Sequence, residues 1–299
     1  MHRNVLPPVL TVSALLLSGC AGAASAAPDT AAGLRAKLPA AIRKAGVLRV
    51  GSNLNYAPVD FKGADGEPAG VDPELAQALG SFLGLKVQIS DMAFDSLIPA
   101  VQSRQIDLAM SAVIDTQQRQ TGTDATGRQV DTGVDFVDYF LTGTAILVKA
   151  GNPQEIKTLD QLCGRTVALQ RGTVQAQIAL RQQSICTRTG KALRVDQFDT
   201  DGQALAEVDS GAAVADLNDY PVAAYNTDPA RGGDKYQVTG ALLQTSPYGI
   251  TVAKSDPALL DVVSRALDLL IRNGGYDQIL TKWNVHGGAL SAAAVNTGF

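Results

Sequence analysis

Val47-Leu48-Arg49-Val50-Gly51, trailed by Asn55-Tyr56-Ala57-Pro58 and then Gly70-Val71-Asp72-Pro73-Glu74-Leu75-Ala76, reads as strand, loop and helix in succession. The β-rich run 47–50 predicts a strand closed by Gly51, residues 52–58 a loop, and Gly63-Ala64-Asp65-Gly66 a turn. Asp72 followed by Pro73 supplies an N-cap and a first-turn proline, and Leu75, Ala78, Leu79, Phe82 and Leu83 fall on one helical face. Residues 87–90 then predict a strand, 95–102 a helix and 107–110 a strand. Such alternation implies a parallel sheet flanked by helices, with ligand loops at the carboxyl ends of the strands.

The pattern repeats downstream. Strands are predicted at 166–169, 193–195 and 214–217, with helices at 173–182 and 203–209 between them. Asp256-Pro257 caps a further helix carrying Leu259, Leu260, Val263, Leu267 and Leu270, and Tyr276, Ile279, Leu280 and Trp283 form a shorter apolar stripe. Between the two units lie the β-like runs 145–148 and 248–252, the crossings available if the last helices return to the first unit. Two crossing strands would make a hinge.

Composition narrows the function. The 299 residues suggest about two domains. With 25 Lys+Arg against 29 Asp+Glu the net charge is −4, and no dense basic run exists, which argues against nucleic acid as a partner. With two histidines, His2 and His286, a Ser-His-Asp triad or a multi-His metal site has almost nothing to draw on. No phosphate loop or catalytic dyad at a recognised spacing is present, and no metal or cofactor is expected.

The start of the chain reads as an address. Met1-His2-Arg3-Asn4 is weakly positive and residues 5–17 form an apolar stretch too short to span a bilayer, which takes about 20 residues. Leu17-Ser18-Gly19-Cys20 resembles the lipobox of bacterial lipoproteins, which implies cleavage before Cys20 and lipidation of its thiol. The alternative is a plain secretory signal cleaved near Ala24 to Ala27, with Cys20 discarded. Residues 1–19 are then the leader, and 20–40, rich in Ala, Gly, Ser and Pro, read as a tether. Cys163 and Cys186 remain as an even pair, for which a disulfide is the inference outside the cytosol and a pair of free buried thiols the alternative.

From Val47 to Trp283 the chain resembles the family 3 solute-binding proteins, the amino-acid receptors of ABC importers. Beyond the opening segments, the likeness is carried by Phe94-Asp95-Ser96-Leu97-Ile98-Pro99-Ala100, Asp115-Thr116-Gln117-Gln118-Arg119 and Val134-Asp135-Phe136-Val137-Asp138-Tyr139-Phe140. Leu169-Gln170-Arg171-Gly172-Thr173, Asn218-Asp219-Tyr220-Pro221 and Pro247-Tyr248-Gly249-Ile250 follow in order. The resemblance implies an α/β, two-lobed periplasmic-binding-protein-like clamp, each lobe a mixed sheet flanked by helices, joined by a two-strand hinge. Lobe 1 is expected at 41–146 plus 248–286, lobe 2 at 147–247, and a C-terminal tail at 287–299.

It also implies a ligand site. Arg119 is the matched cation for an amino-acid carboxylate, with the backbone of Gly172 and Thr173 as further donors at a helix start. Asp219 is the matched anion for the ammonium, helped by Ser111 and the backbone of Ala112, while Tyr56 and Phe94 would sandwich the side chain. Read without the resemblance, Arg119 is a solvated loop residue, Asp219 and Thr173 are helix caps, and Tyr56 and Phe94 are core. Two positions depart from the family pattern: Ile114 replaces a usual hydroxyl residue, and Asn53 stands where binders of cationic amino acids often carry an acid. The stretch 121–133 is longer than usual and brings Arg128 as a rival to Arg119; without calcium-loop spacing, it reads as a surface loop.

The implied function is capture of an amino acid by lobe closure and delivery to permease subunits, by a monomer lipid-anchored on the extracytoplasmic face of a bacterial membrane. The alternatives are a periplasmic-type dehydratase on the same scaffold, or a sensory ligand-binding module.

Overall fold

A computed structural model describes residues 1–2, 29–231 and 233–299, so most of the leader, the Leu17 to Cys20 motif and the first part of the predicted tether lie outside the described residues. The strands are β1 (Val47–Ser52), β2 (Asn55–Tyr56), β3 (Asp60–Lys62), β4 (Pro68–Ala69), β5 (Lys86–Asp91) and β6 (Leu108–Ala109). They continue as β7 (Val134–Lys149), β8 (Thr166–Gln170), β9 (Arg194–Phe198), β10 (Ala215–Asp219), β11 (Tyr236–Ala253) and β12 (Ala289–Val295). The helices are α1 (Ala31–Lys37), α2 (Ala40–Ala45), α3 (Val71–Leu83), α4 (Leu97–Gln102) and α5 (Gln117–Thr121). After them come α6 (Val174–Arg188), α7 (Asp201–Ser210), α8 (Tyr220–Asn226), α9 (Pro257–Arg272) and α10 (Gly275–Lys282).

The main sheet runs β5-β1-β6-β11-β7-β10-β8-β9, with β12 also on β7, and β2-β3-β4 form a small separate sheet. β1 is parallel to β5 and β6, and β8 is parallel to β9 and β10, which are the two parallel cores expected from the strand and helix alternation. β7 and β11 pair antiparallel from Ala253↔Val134 in the first core to Tyr236↔Lys149 in the second, with register shifts between Thr239 and Thr245. Two lobes therefore hang on one pair of long strands. Both strands are much longer than the predicted crossings: β7 is buried along nearly its whole length and β11 continuously only over 246–253, so neither shows a clean alternation for a periodicity reading to follow.

Local signals account for most element starts. Thr173 caps α6 by accepting from the Ala176 N–H, and Asp256 with Pro257 opens α9, whose Leu259, Val262, Val263, Ala266, Leu267 and Leu270 form the buried stripe. α3 begins two residues earlier than predicted, with Gly70 at its N-cap, and Asp72 does not cap it. The Asp72 carboxylate is fully buried, accepting from the Tyr139 hydroxyl at 2.5 Å and the Ala112 N–H at 2.8 Å.

Residues 31–38 and the tail dock more tightly than their composition suggests. Within the predicted tether, 31–37 is helix α1, packed on α3 and α9, with Leu34 and Leu38 buried. Apolar side chains at a spacing of four are the reason: once α9 offers a groove, burying two leucines outweighs the freedom of a short linker. In the tail, β12 joins β7, and Ala293 donates its N–H to Asp268 of α9 at 2.8 Å. Cys163 and Cys186 are joined in a disulfide, with Cα atoms 5.1 Å apart. Among the described residues no helix is long and apolar enough to cross a membrane.

Candidate functional site

The carboxyl ends of β1 and β6 in one lobe and of β8 and β10 in the other converge on a single cleft, where an α/β sheet offers loops and helix starts to a ligand. Lobe 1 contributes Asn53, Tyr56, Phe94, Ser111, Ala112, Ile114 and Arg119 to its lining. Lobe 2 contributes Gln170, Thr173, Val174, Gln175 and Asp219. Seven of the eight residues proposed from the sequence thus meet in one place. Gly172 sits beside it, lining an adjoining crevice with Phe94, Asp95 and Arg119.

Arg119 is held by short-range geometry. Thr116 caps the single-turn α5, accepting from the Arg119 N–H at 3.2 Å, and the guanidinium donates from Nη1 to the Ile114 carbonyl at 2.7 Å. Nη2 crosses the cleft to the Gly172 carbonyl at 2.9 Å, and the guanidinium lies 5.7 Å from the centre of the Phe94 ring. Burial pulls its pKa down to about 10 against the opposing pull of Asp219 and Asp115, so it remains a cation at neutral pH. Gly172 offers Arg119 its carbonyl as an acceptor, a role separate from the backbone N–H that the resemblance implied as a donor. Its φ of +80° suits a glycine, and an added Cβ would stand 3.0 Å from that of Asp95. The rival Arg128 is on the surface, its side chain 78% exposed and paired with Asp124 at 3.0 Å.

Asp219 ends β10 at 3% exposure. It occupies the N-cap position of α8, yet its side chain makes no capping bond. Instead Oδ1 accepts from Gln175 Nε2 at 2.8 Å, and Oδ2 lies 3.0 Å from the Tyr56 hydroxyl. Burial pushes the carboxyl up to about 7, opposed by hydrogen bonds from Tyr56 and Gln175 and by the charge of Arg119. Burial and the neighbouring Asp219 also raise Tyr56 well above the usual phenol value, so it stays protonated.

The polar groups expected to assist from lobe 1 are partly engaged elsewhere. Ser111 Oγ donates to Asp60 Oδ2 at 2.5 Å and accepts the Asn53 N–H at 2.9 Å. The Ala112 N–H goes to Asp72, with Ala112 at φ +48°. Thr173 Oγ1 donates to the Gln170 carbonyl at 2.8 Å while capping α6, so its hydroxyl is spent on the helix while the α6 N-terminus faces the cleft.

Gln170 and Gln175 escaped the sequence reading as site residues. Gln170 Nε2 reaches Asn53 Oδ1 across the cleft at 3.0 Å. Its place at the carboxyl end of a predicted parallel strand was the available signal. Gln175, in the first turn of α6, carried none.

With this geometry the chain can be set beside known proteins. A model of the bacterial extracellular solute-binding proteins, family 3, matches residues 48–286. The chain belongs to this family. Among the relatives of this solute-binding protein is the arginine-binding protein ArgT of Corynebacterium glutamicum, 28% identical over 272 residues, covering 90% of this chain and 84% of ArgT. Among solved structures, an ancestral arginine-binding protein bound to glutamine is 33% identical with a TM-score of 0.70, covering 80% of this chain and 98% of that one. The ancestral amino acid-binding protein AncCDT-1, described as a precursor of cyclohexadienyl dehydratase, is likewise 33% identical at a TM-score of 0.70, covering 81% and 97%. The family match stops at residue 286, before β12.

Proposed function

We propose that this solute-binding protein captures one α-amino acid between its lobes and presents the closed form to an ABC permease. The observation that carries the reading is that Arg119 and Asp219, from opposite lobes, face one cavity, as a carboxylate and an ammonium on one carbon require. The ligand carboxylate takes Arg119 together with the N-terminal amides of α6, and the ammonium takes Asp219. Tyr56 and Phe94 flank the side chain. Among the described residues Asp219 is the sole acidic and Arg119 the sole cationic residue in the lining, and both serve the zwitterion. A neutral side chain therefore fits better than that of lysine or arginine, in keeping with Asn53 and Gln170 as the nearby amides.

Lobe 1 comprises 41–146 plus 248–286 with the docked ends added, and lobe 2 comprises 147–247. Closure is favoured by the ligand because contacts from both lobes are complete only in the closed form. We further propose that the protein is a monomer, lipid-anchored at Cys20 on the extracytoplasmic face. Replacing Cys20 with Ala should move it from the membrane fraction to the soluble one, and persistence in membranes counts against the anchor. A thermal-shift screen of the mature protein against the twenty amino acids tests the main reading: one or a few should raise the melting point, and none doing so overturns it.

A second reading has a foothold in the AncCDT-1 likeness and the raised pKa of Asp219, which suits a general acid. Recovery of the bound ligand chemically unchanged after incubation supports binding without turnover, and a new product supports the enzyme.

A further inference from the structure

The chain after residue 286 contributes nothing to the lining of the cleft, yet it ends against the segment that carries Arg119. β12 lies along β7 with Ala289 opposite Phe140 and Val295 opposite Val137, where β7 enters the hinge pair. Asn296 extends the pairing, accepting the Phe136 N–H on Oδ1 at 2.8 Å and donating its own N–H to the Phe136 carbonyl at 3.2 Å. Thr297 then donates both its N–H and its hydroxyl to Asp138 Oδ2, at 3.0 and 2.5 Å. Gly298 donates its N–H to Asp115 Oδ2 at 2.8 Å and accepts from Gln120 Nε2 at 3.3 Å, the same amide that reaches Asp115 Oδ1 at 2.8 Å.

Asp115 and Asp138 are both fully buried, and neither has an ion-pair partner among the described residues. Buried carboxylates without cations depend on donors, and the tail supplies three of them. The fit is close: a Cβ on Gly298 would stand 2.2 Å from the Asp115 carbonyl oxygen. Asp115 also donates its N–H to the Pro247 carbonyl of β11 at 2.9 Å, and the residue after it, Thr116, caps the turn holding Arg119. Burial pushes Asp138 up to about 6 and raises Asp115 as well, as expected for two carboxyls packed together with few donors.

We infer that Thr297 and Gly298 are positioning residues, a C-terminal strap that holds the 115–120 segment, and through it Arg119, against the lobe-1 end of the hinge strands. Its effect on affinity rests on the proposed role of Arg119, whereas its effect on the segment does not. Without the strap, Asp115 keeps Gln120 as its side-chain donor, and the α5 turn loses its outer support.

Four proteins test this: the chain ended after Val295, Gly298→Ala, Thr297→Val and Thr297→Ser. Hydrogen exchange without added ligand should accelerate at least tenfold over 115–121 in the first three, with α6 and α9 unchanged. Affinity for the amino acid found in the screen should fall at least tenfold in the same three, while Thr297→Ser, which restores the hydroxyl, stays within twofold of the parent. Should the truncated chain fail to fold, the point variants carry the test. Unchanged exchange over 115–121 overturns the strap, and faster exchange with unchanged affinity overturns its positioning of Arg119. If the parent binds no amino acid, the reading of the cleft fails instead, and the exchange data alone decide whether the strap holds the segment.

Discussion

Tyr56 of lobe 1 and Asp219 of lobe 2 meet across the cleft, the phenol oxygen 3.0 Å from the carboxylate and 3.1 Å from the Asp219 backbone nitrogen, which donates to it. The same hydroxyl lies 2.5 Å from Asn218 Oδ1. A phenol has one proton to give, so Asn218 and Asp219 compete for it while the backbone amide fills a lone pair. One side chain thus ties the end of β10 to the opposite lobe.

Tyr56→Phe keeps the ring and removes this tie. We expect about fivefold to tenfold weaker amino-acid binding by titration calorimetry, the size of one net hydrogen bond of about 1 kcal/mol. Unchanged affinity would detach Tyr56 from closure.

Arg119→Ala should weaken binding at least a hundredfold, about 3 kcal/mol, the scale of losing one partner of a buried charge pair. Arg119→Lys should recover only part of it, because an ammonium lacks the planar fork. Arg128→Ala, on the surface beside Asp124, should stay within twofold. A normal affinity in Arg119→Ala removes it from the site.

Acidity should act in opposite directions on stability and binding. Asp72, Asp201 and Asp219 are each pushed up to about 7 by burial, whereas an unfolded aspartate titrates near pH 4. Between these limits the folded state holds more protons, so unfolding free energy falls as pH rises from about 4 to 7. The ligand-free melting temperature should therefore be higher at pH 5 than at pH 7.5, and calorimetry showing the reverse order contradicts it. An ammonium beside Asp219 favours the carboxylate, so binding should tighten from pH 5.5 to 8 and release a proton, read from calorimetry in buffers of different ionisation enthalpy.

Replacing both Cys163 and Cys186 with Ser should cost about 3 kcal/mol in urea unfolding, the chain-entropy scale for a loop of this size. Cys186 is near the far end of α6 from Thr173, about 20 Å away at the rise of a helix, so affinity should not change. A loss of affinity without a loss of stability would contradict this placement.

Much of the fold was legible because helices and strands announce themselves within a few residues. Thr173, Asp256-Pro257 and the leucine stripe of α9 identified their helices from spacing and capping chemistry, and the ordered segments from Leu48 to Ile250 indicated which loops share a cleft. Asp72 looked like a cap and became a buried acceptor, since what satisfies it comes from Tyr139 and Ala112, far along the chain. Gly172 kept its place near the site, but the direction of its carbonyl was set by Arg119 of the other lobe. α1 and β12 gave no warning, because a short leucine-bearing helix and an alanine-rich strand acquire meaning only when α9 and β7 offer them a surface. Periodicity and caps are local properties of a chain, whereas the partner of a buried polar group or a terminal strand is chosen by residues far along the chain, and that choice exists only once the chain has folded.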